Sequence, residues 1–200
     1  MTTLLLPLVL VSIVAALMGR SLSALGCARV RWWPLGMAAV MADLVLARIP
    51  VTLVPWLVEW GHWLWIVTVV CAGAVLARNV IDRRGIEQAP WIVATLGVGM
   101  NLLVVFANGG FMPMDVSLLD STGVTAQFAE RPRYRRDVSI TSSTNLPWLG
   151  DVMAAPGWLP MGSVISIGDV LLDVGLGWWL ILSTDPKLVT PRREVVLEPA

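Results

Sequence analysis

The chain has 200 residues, 56% of them hydrophobic and only 14% charged, with a mean hydropathy of +0.75 and no net charge. Soluble domains carry about 25% charged residues, so too little charge is present to cover a water-facing surface, and the composition predicts one integral membrane domain. The neutral balance gives no reason to expect a nucleic-acid partner. Two cysteines, Cys27 and Cys71, are too few for a paired metal-binding motif and are expected to stay reduced.

Five apolar runs are long enough to predict membrane-crossing helices, at 3–19, 34–54, 62–78, 90–108 and 162–182. A helix needs about 20 apolar residues to cross a ~30 Å hydrocarbon core, and each run comes close. In lipid every backbone N–H must find its acceptor within the segment, which selects helices. The fold class expected is therefore all-α, a bundle of five transmembrane helices within 1–184, followed by a polar tail at 185–200. The first run lacks basic residues before Arg20 and is read as a retained helix, not a cleaved signal. Pro50 and Pro55 make the end of the second span and the start of the third the least definite boundaries.

Basic residues predict the orientation. With the N-terminus outside, nine of the 14 fall on the inner side: Arg20, Arg29, Arg31, Arg78, Arg83, Arg84, Lys187, Arg192 and Arg193. The positive-inside rule then places the C-terminus in the cytoplasm. Tryptophan favours the headgroup zone. Trp32, Trp33, Trp91, Trp178 and Trp179 fall at expected inner ends, whereas Trp56, Trp60, Trp63, Trp65, Trp148 and Trp158 fall at or near outer ones.

The fourth span ends in Asn108-Gly109-Gly110, a helix stop in which glycine supplies the left-handed cap, and then passes Pro113. These four residues are expected to organise the long outer connection, 109–161, which is rich in Trp, Leu and Pro and is predicted to pack back on the bundle. Within it, Arg131, Arg133, Arg135 and Arg136 form a basic run between Glu130 and Asp137, a candidate contact for lipid headgroups or a protein partner.

The polar residues within the spans are the candidate site. Asp43, Asn101 and Asp169 lie roughly 10–16 Å from the ends of their spans at a 1.5 Å rise per residue. Asp43 sits on a small-residue stripe (Gly36, Ala39, Asp43, Ala47), and Asp169 and Asp173 on another (Gly162, Ser166, Asp169, Asp173, Gly177). Gly97, Asn101, Val104 and Asn108 share a face of the fourth span. An intramembrane carboxylate usually faces the bundle interior with a partner, so Asp43, Asn101, Asp169 and Asp173 are expected to form a polar intramembrane site for a cation, a proton or a headgroup. Two blander readings stand beside it: Asp–Asn bonds as interhelical glue, and Ser166-Ile-Gly-Asp169 as a capping box opening the last helix.

The segments Asn108-Gly-Gly-Phe-Met-Pro113, Leu146-Pro-Trp-Leu-Gly-Asp151 and Ser163-Val-Ile-Ser-Ile-Gly-Asp-Val-Leu-Leu172 resemble a family of uncharacterised bacterial multi-pass membrane proteins, a domain of unknown function. The resemblance implies five helices in the bacterial cytoplasmic membrane. It carries no established activity, so no catalytic residue follows from it.

His62 is the lone histidine, without a neighbouring nucleophile, and no phosphate-cradling or dinucleotide fingerprint is present. No cofactor, metal or catalytic residue is expected. The function expected first is a non-catalytic accessory or scaffold protein that binds membrane lipid or another membrane protein. The alternative is a small transporter or proton/cation-coupled carrier using the mid-membrane carboxylates, which a cavity reaching Asp43 or Asp169 would favour. The weakest reading is an enzyme acting at the outer face, in a cleft gathering His62, the arginine run and Asp151.

Overall fold

The computed structural model describes residues 12–13, 16–17, 29–46, 49, 53–118, 137–155 and 164–184. Most of the first expected span, Arg48, the run Arg131 to Arg136 and the tail 185–200 lie outside the described residues, as do Cys27 and Gly162.

Four α-helices of two turns or more are described: α1 (Trp33–Leu46), α2 (Leu57–Asp82), α3 (Ala89–Ala107) and α4 (Ile167–Ser183). Two helical segments are long and apolar enough to cross a membrane, Leu57–Asp82 and Gly85–Ala107, the latter a 3-10 turn running into α3. The expectation of five such helices is therefore reduced to two among the described residues. The 14 residues of α1 and the 17 of α4 extend about 21 and 25 Å at 1.5 Å per residue.

The boundaries move for local reasons. Toward Pro50, α1 ends at Leu46, since proline disfavours helix in the residue before it and offers no N–H. In contrast, α2 starts five residues before the expected position, just past Pro55, and carries Glu59 in its first turn, where the helix dipole favours an acid. It also runs past Arg78 to Asp82, because its terminal polar groups are satisfied. Asn79, fully buried, accepts from the Arg31 N–H (3.0 Å) and donates to Arg31 O (3.0 Å) and Val75 O (2.7 Å). Arg83 donates to Asn79 Oδ1 (2.6 Å) and to Arg29 O, and stacks 4.6 Å from the Trp91 ring centroid. Burial holds the Arg83 pKa below its ordinary value, against the pull of Glu87 and Asp82. This cluster latches the chain before α1 onto the end of α2.

The earlier start of α2 also places Trp65 about 12 Å inside the helix, half-buried, and not at its end as the tryptophan pattern predicts. Pro90 occupies the first turn of α3, where its missing N–H costs nothing. The start of α4 lies five residues later than expected because Val164–Ile165 form a strand, β4, and Ser166 is the N-cap.

The all-α expectation is amended by four short strands, three in the outer connection and β4 between it and α4. β1 (Met112–Met114) pairs in parallel with β2 (Asp137–Ser139), and β3 (Met153–Ala154) pairs antiparallel with β4. A bridge from Met114 to Asp151, with Asp151 N donating to Pro113 O (2.8 Å), ties the connection together. Leu149 is buried against Ile66, Val104, Val105 and Met112, so this segment packs on the helices.

The closest packing is between α3 and α4. A Cβ at Gly97 would collide with Gly168 O, one at Gly168 with Asn101 and Gly97 O, and one at Gly175 would lie 2.5 Å from Ala94 N. Small residues at these positions let the two backbones touch.

Candidate functional site

Helix α1 packs on α2, α2 on α3, and α3 on α4. Consecutive helices run in opposite directions, as three anchors show: Arg31 at Asn79, Arg83 on Trp91, and Trp91 against Trp179 (5.3 Å between centroids). All described arginines gather at this end. Trp33, Trp91 and Trp179 stand at one level near it, and ten residues along their helices come Asp43, Asn101 and Asp169. At 1.5 Å per residue the three polar residues therefore share a level about 15 Å away.

A cavity of about 390 Å³ runs between these levels. Asp43, Asn101 and Asp169 line it, joined by Asp137 and Asp151 from the outer connection; its lower walls are apolar and include Leu76, Leu172 and the indoles of Trp33, Trp91 and Trp179. Trp65 also lines it, toward the acid level. No Lys, Arg or His is among its described lining residues. Asp173, expected in the same site, is not one of them. Its Oδ1 is buried without a hydrogen-bond partner elsewhere on α4.

Of the three acids of the expected site, the two that line the cavity differ in their bonding. Asp169 belongs to a capping box: its backbone N–H donates to Ser166 Oγ (3.0 Å), and its Oδ2 accepts from Ser166 N (3.2 Å). Its Oδ1 accepts from Asn101 Nδ2 (2.9 Å), and Asn101 Oδ1 accepts from Ser166 Oγ (2.9 Å). The cap thus extends into an interhelical network in which both carboxylate oxygens are used. Asp43 is 2% exposed and its Oδ1 has no hydrogen-bond partner. A buried acceptor without a donor costs on the order of 1–3 kcal/mol, more when charged.

Asn108 closes the loop end. Its Nδ2 donates to Val104 O and to Asn145 O (both 2.8 Å), while its Oδ1 accepts from Asn145 N (2.9 Å); Asn145 Nδ2 donates to Ala107 O (2.9 Å). Gly109 and Gly110 follow with φ of +69° and +93°. Pro113 is buried within β1. His62 is buried under this turn, its ring stacked on Phe111 (4.5 Å) and 3.1 Å from where a Gly110 Cβ would lie. It is not among the residues lining the cavity, so the cleft expected to gather His62 with Asp151 is not formed by this cavity.

Asp137 was not legible as a site residue, and Asp151 was expected beside His62 rather than with Asp43 and Asp169, since a loop carboxylate carries no hydropathy signal of where it lands. Asn79 was missed as well, although an amide next to Arg78, directly after the apolar run 69–77, was the available clue.

The model of DUF5317, a family of unknown function, matches residues 28–181, and the chain belongs to that family. No curated protein and no solved structure matches it.

Proposed function

We propose that this member of DUF5317 is a multi-pass protein of the bacterial cytoplasmic membrane, N-terminus outside, that acts as a small proton- or cation-coupled carrier through the cavity at Asp43. Membrane embedding is supported by where the apolar surface lies. Only 33% and 39% of the apolar windows of the two long helical segments are buried, while Val67, Val70, Leu96, Leu103 and Phe106 face outward. The core helix of a soluble protein would hide those residues; lipid accepts them. The arginines at one end favour a cytoplasmic placement for that end.

The observation that carries the carrier reading is Asp43, a buried acid with an unmet acceptor in a cavity lined by three further aspartates and no described basic group. Intramembrane acids of this kind mark ion and proton pathways. The test is proton or monovalent-cation flux in proteoliposomes under an imposed gradient. Asp43→Asn is expected to slow flux by at least about tenfold, one decade corresponding to ~1.4 kcal/mol; equal rates for variant and wild type refute the reading.

The accessory reading retains one specific support, the outward face of α1, where Leu35, Met37, Met41 and Val45 are exposed together. A lipid or a partner helix would cover it. Co-purification of a stoichiometric partner in mild detergent, lost on Met41→Glu, would favour that reading.

A further inference from the structure

We infer that the cavity binds an organic cation with an apolar body, its ammonium group at Asp43 and its hydrocarbon part directed toward Trp33, Trp91 and Trp179. This rests on the carrier reading and names its cargo class. Three observations lead to it. The first is size. A bare metal ion sits among oxygens at about 2.0–2.6 Å, whereas about 390 Å³ falls in the range of small-molecule pockets. The second is the spacing of the acids: no group of three or more His, Cys, Asp or Glu among the described residues is placed to hold a metal ion, so the four aspartates surround a space without converging on a point.

The third is polarity along the axis. Asp43 and Asp169 stand at one level with Asn101, and the apolar walls run from there toward the arginine end, about 15 Å by helix rise. An ammonium donor meets the carboxylate of Asp43, a residue that lines the cavity and whose buried Oδ1 has no hydrogen-bond partner, and Trp65 near that level offers an aromatic face to a cation. A neutral apolar ligand would leave that oxygen unmet, and an anion would face four carboxylates. Inorganic cations would leave the apolar length unfilled.

The test uses the full chain in phosphatidylcholine nanodiscs, with calorimetric titration of phenylbutylammonium, its neutral analogue phenylbutanol, and sodium chloride. The expected result is ammonium binding at least about tenfold tighter than alcohol binding, the size of one charge-assisted hydrogen bond. Asp43→Asn should remove that preference while alcohol binding persists, which also shows that the variant keeps its cavity. Equal affinities in the wild type, an ammonium preference untouched by Asp43→Asn, or no binding above empty nanodiscs overturns the inference. Asp43-dependent flux without ammonium binding would overturn it while leaving the carrier reading intact with a smaller cargo. Loss of both would remove both.

Discussion

Gly168→Ala probes the contact on which the polar level of the cavity is built. The added Cβ would lie 2.6 Å from Gly97 O and closer still to Asn101 Oδ1, distances that real methyl groups do not tolerate, so α4 must retreat from α3. Overpacking of this kind costs ~1–3 kcal/mol. The retreat also pulls Asp169 from Asn101, now 2.9 Å apart, and an interhelical hydrogen bond in a membrane bundle contributes ~0.6–1.7 kcal/mol. Helix propensity opposes both, since alanine is better than glycine by ~0.8–1 kcal/mol. The net expectation is a loss of about 1–4 kcal/mol. Gly99→Ala is the control: it lies on the facing helix α3 but is exposed, and a Cβ there meets nothing within 4 Å, so only the propensity gain remains. Reversible unfolding in mixed micelles, followed by tryptophan emission, measures both. If Gly168→Ala proves as stable as Gly99→Ala, the close α3–α4 contact is wrong.

Asn79→Ala removes the side chain that holds the Arg31 backbone and Arg83; a loss of ~2–3 kcal/mol is expected, read in the same unfolding assay. Asp82→Asn, at a pair whose Arg31 side chain is 65% exposed, should cost less than ~1 kcal/mol, so a large loss would contradict the view that Asn79 and not the ion pair forms the latch. Asn108→Ala and Asn145→Ala should be strongly non-additive, with a coupling of at least ~0.5 kcal/mol in a double-mutant cycle, and each alone should speed amide exchange in 141–149. Additive effects would mean that the two amides do not brace the outer connection on α3.

The reach of the sequence differed by element. Hydropathy and the Asn-Gly-Gly stop placed α3 within a residue at each end, because its termination is local: proline at the start, two positive-φ glycines after the end. The C-terminal end of α2 was harder, since it depends on Asn79 and Arg83 meeting residues some 50 positions earlier, which no window sees. The stripe of small residues expected on the last helix meets α3 at its start, where Ser166 and Asp169 bond Asn101, and then departs from the face used. Gly168, Leu172 and Gly175 touch α3, whereas Asp173 and Gly177 were drawn on the neighbouring face. A start at 162 hid this, because a strand at 164–165 changes what the preceding residues present. The common level of Asp43, Asn101 and Asp169 followed from counting residues. The different bonding of the two acids did not, since both read alike as carboxylates among small residues.

That difference yields opposite signs for the same substitution. Asp169→Leu removes the capping box, which contributes ~0.5–2 kcal/mol, and leaves Asn101 Nδ2 without its acceptor, so the bundle should lose ~2–3 kcal/mol in all. Asp43→Leu removes a buried oxygen that has no donor and places an apolar side chain beside a cavity with room for it. Relief of the desolvation cost should raise stability by ~1–3 kcal/mol. Flux should fall for Asp43→Leu even as stability rises, the pattern of a residue retained for function against its own cost to the fold. Unfolding midpoints and proteoliposome flux on the two variants measure all four quantities. A destabilised Asp43→Leu would mean that its carboxylate, like that of Asp169, is holding helices together, and the argument for a binding site at Asp43 would lose its premise.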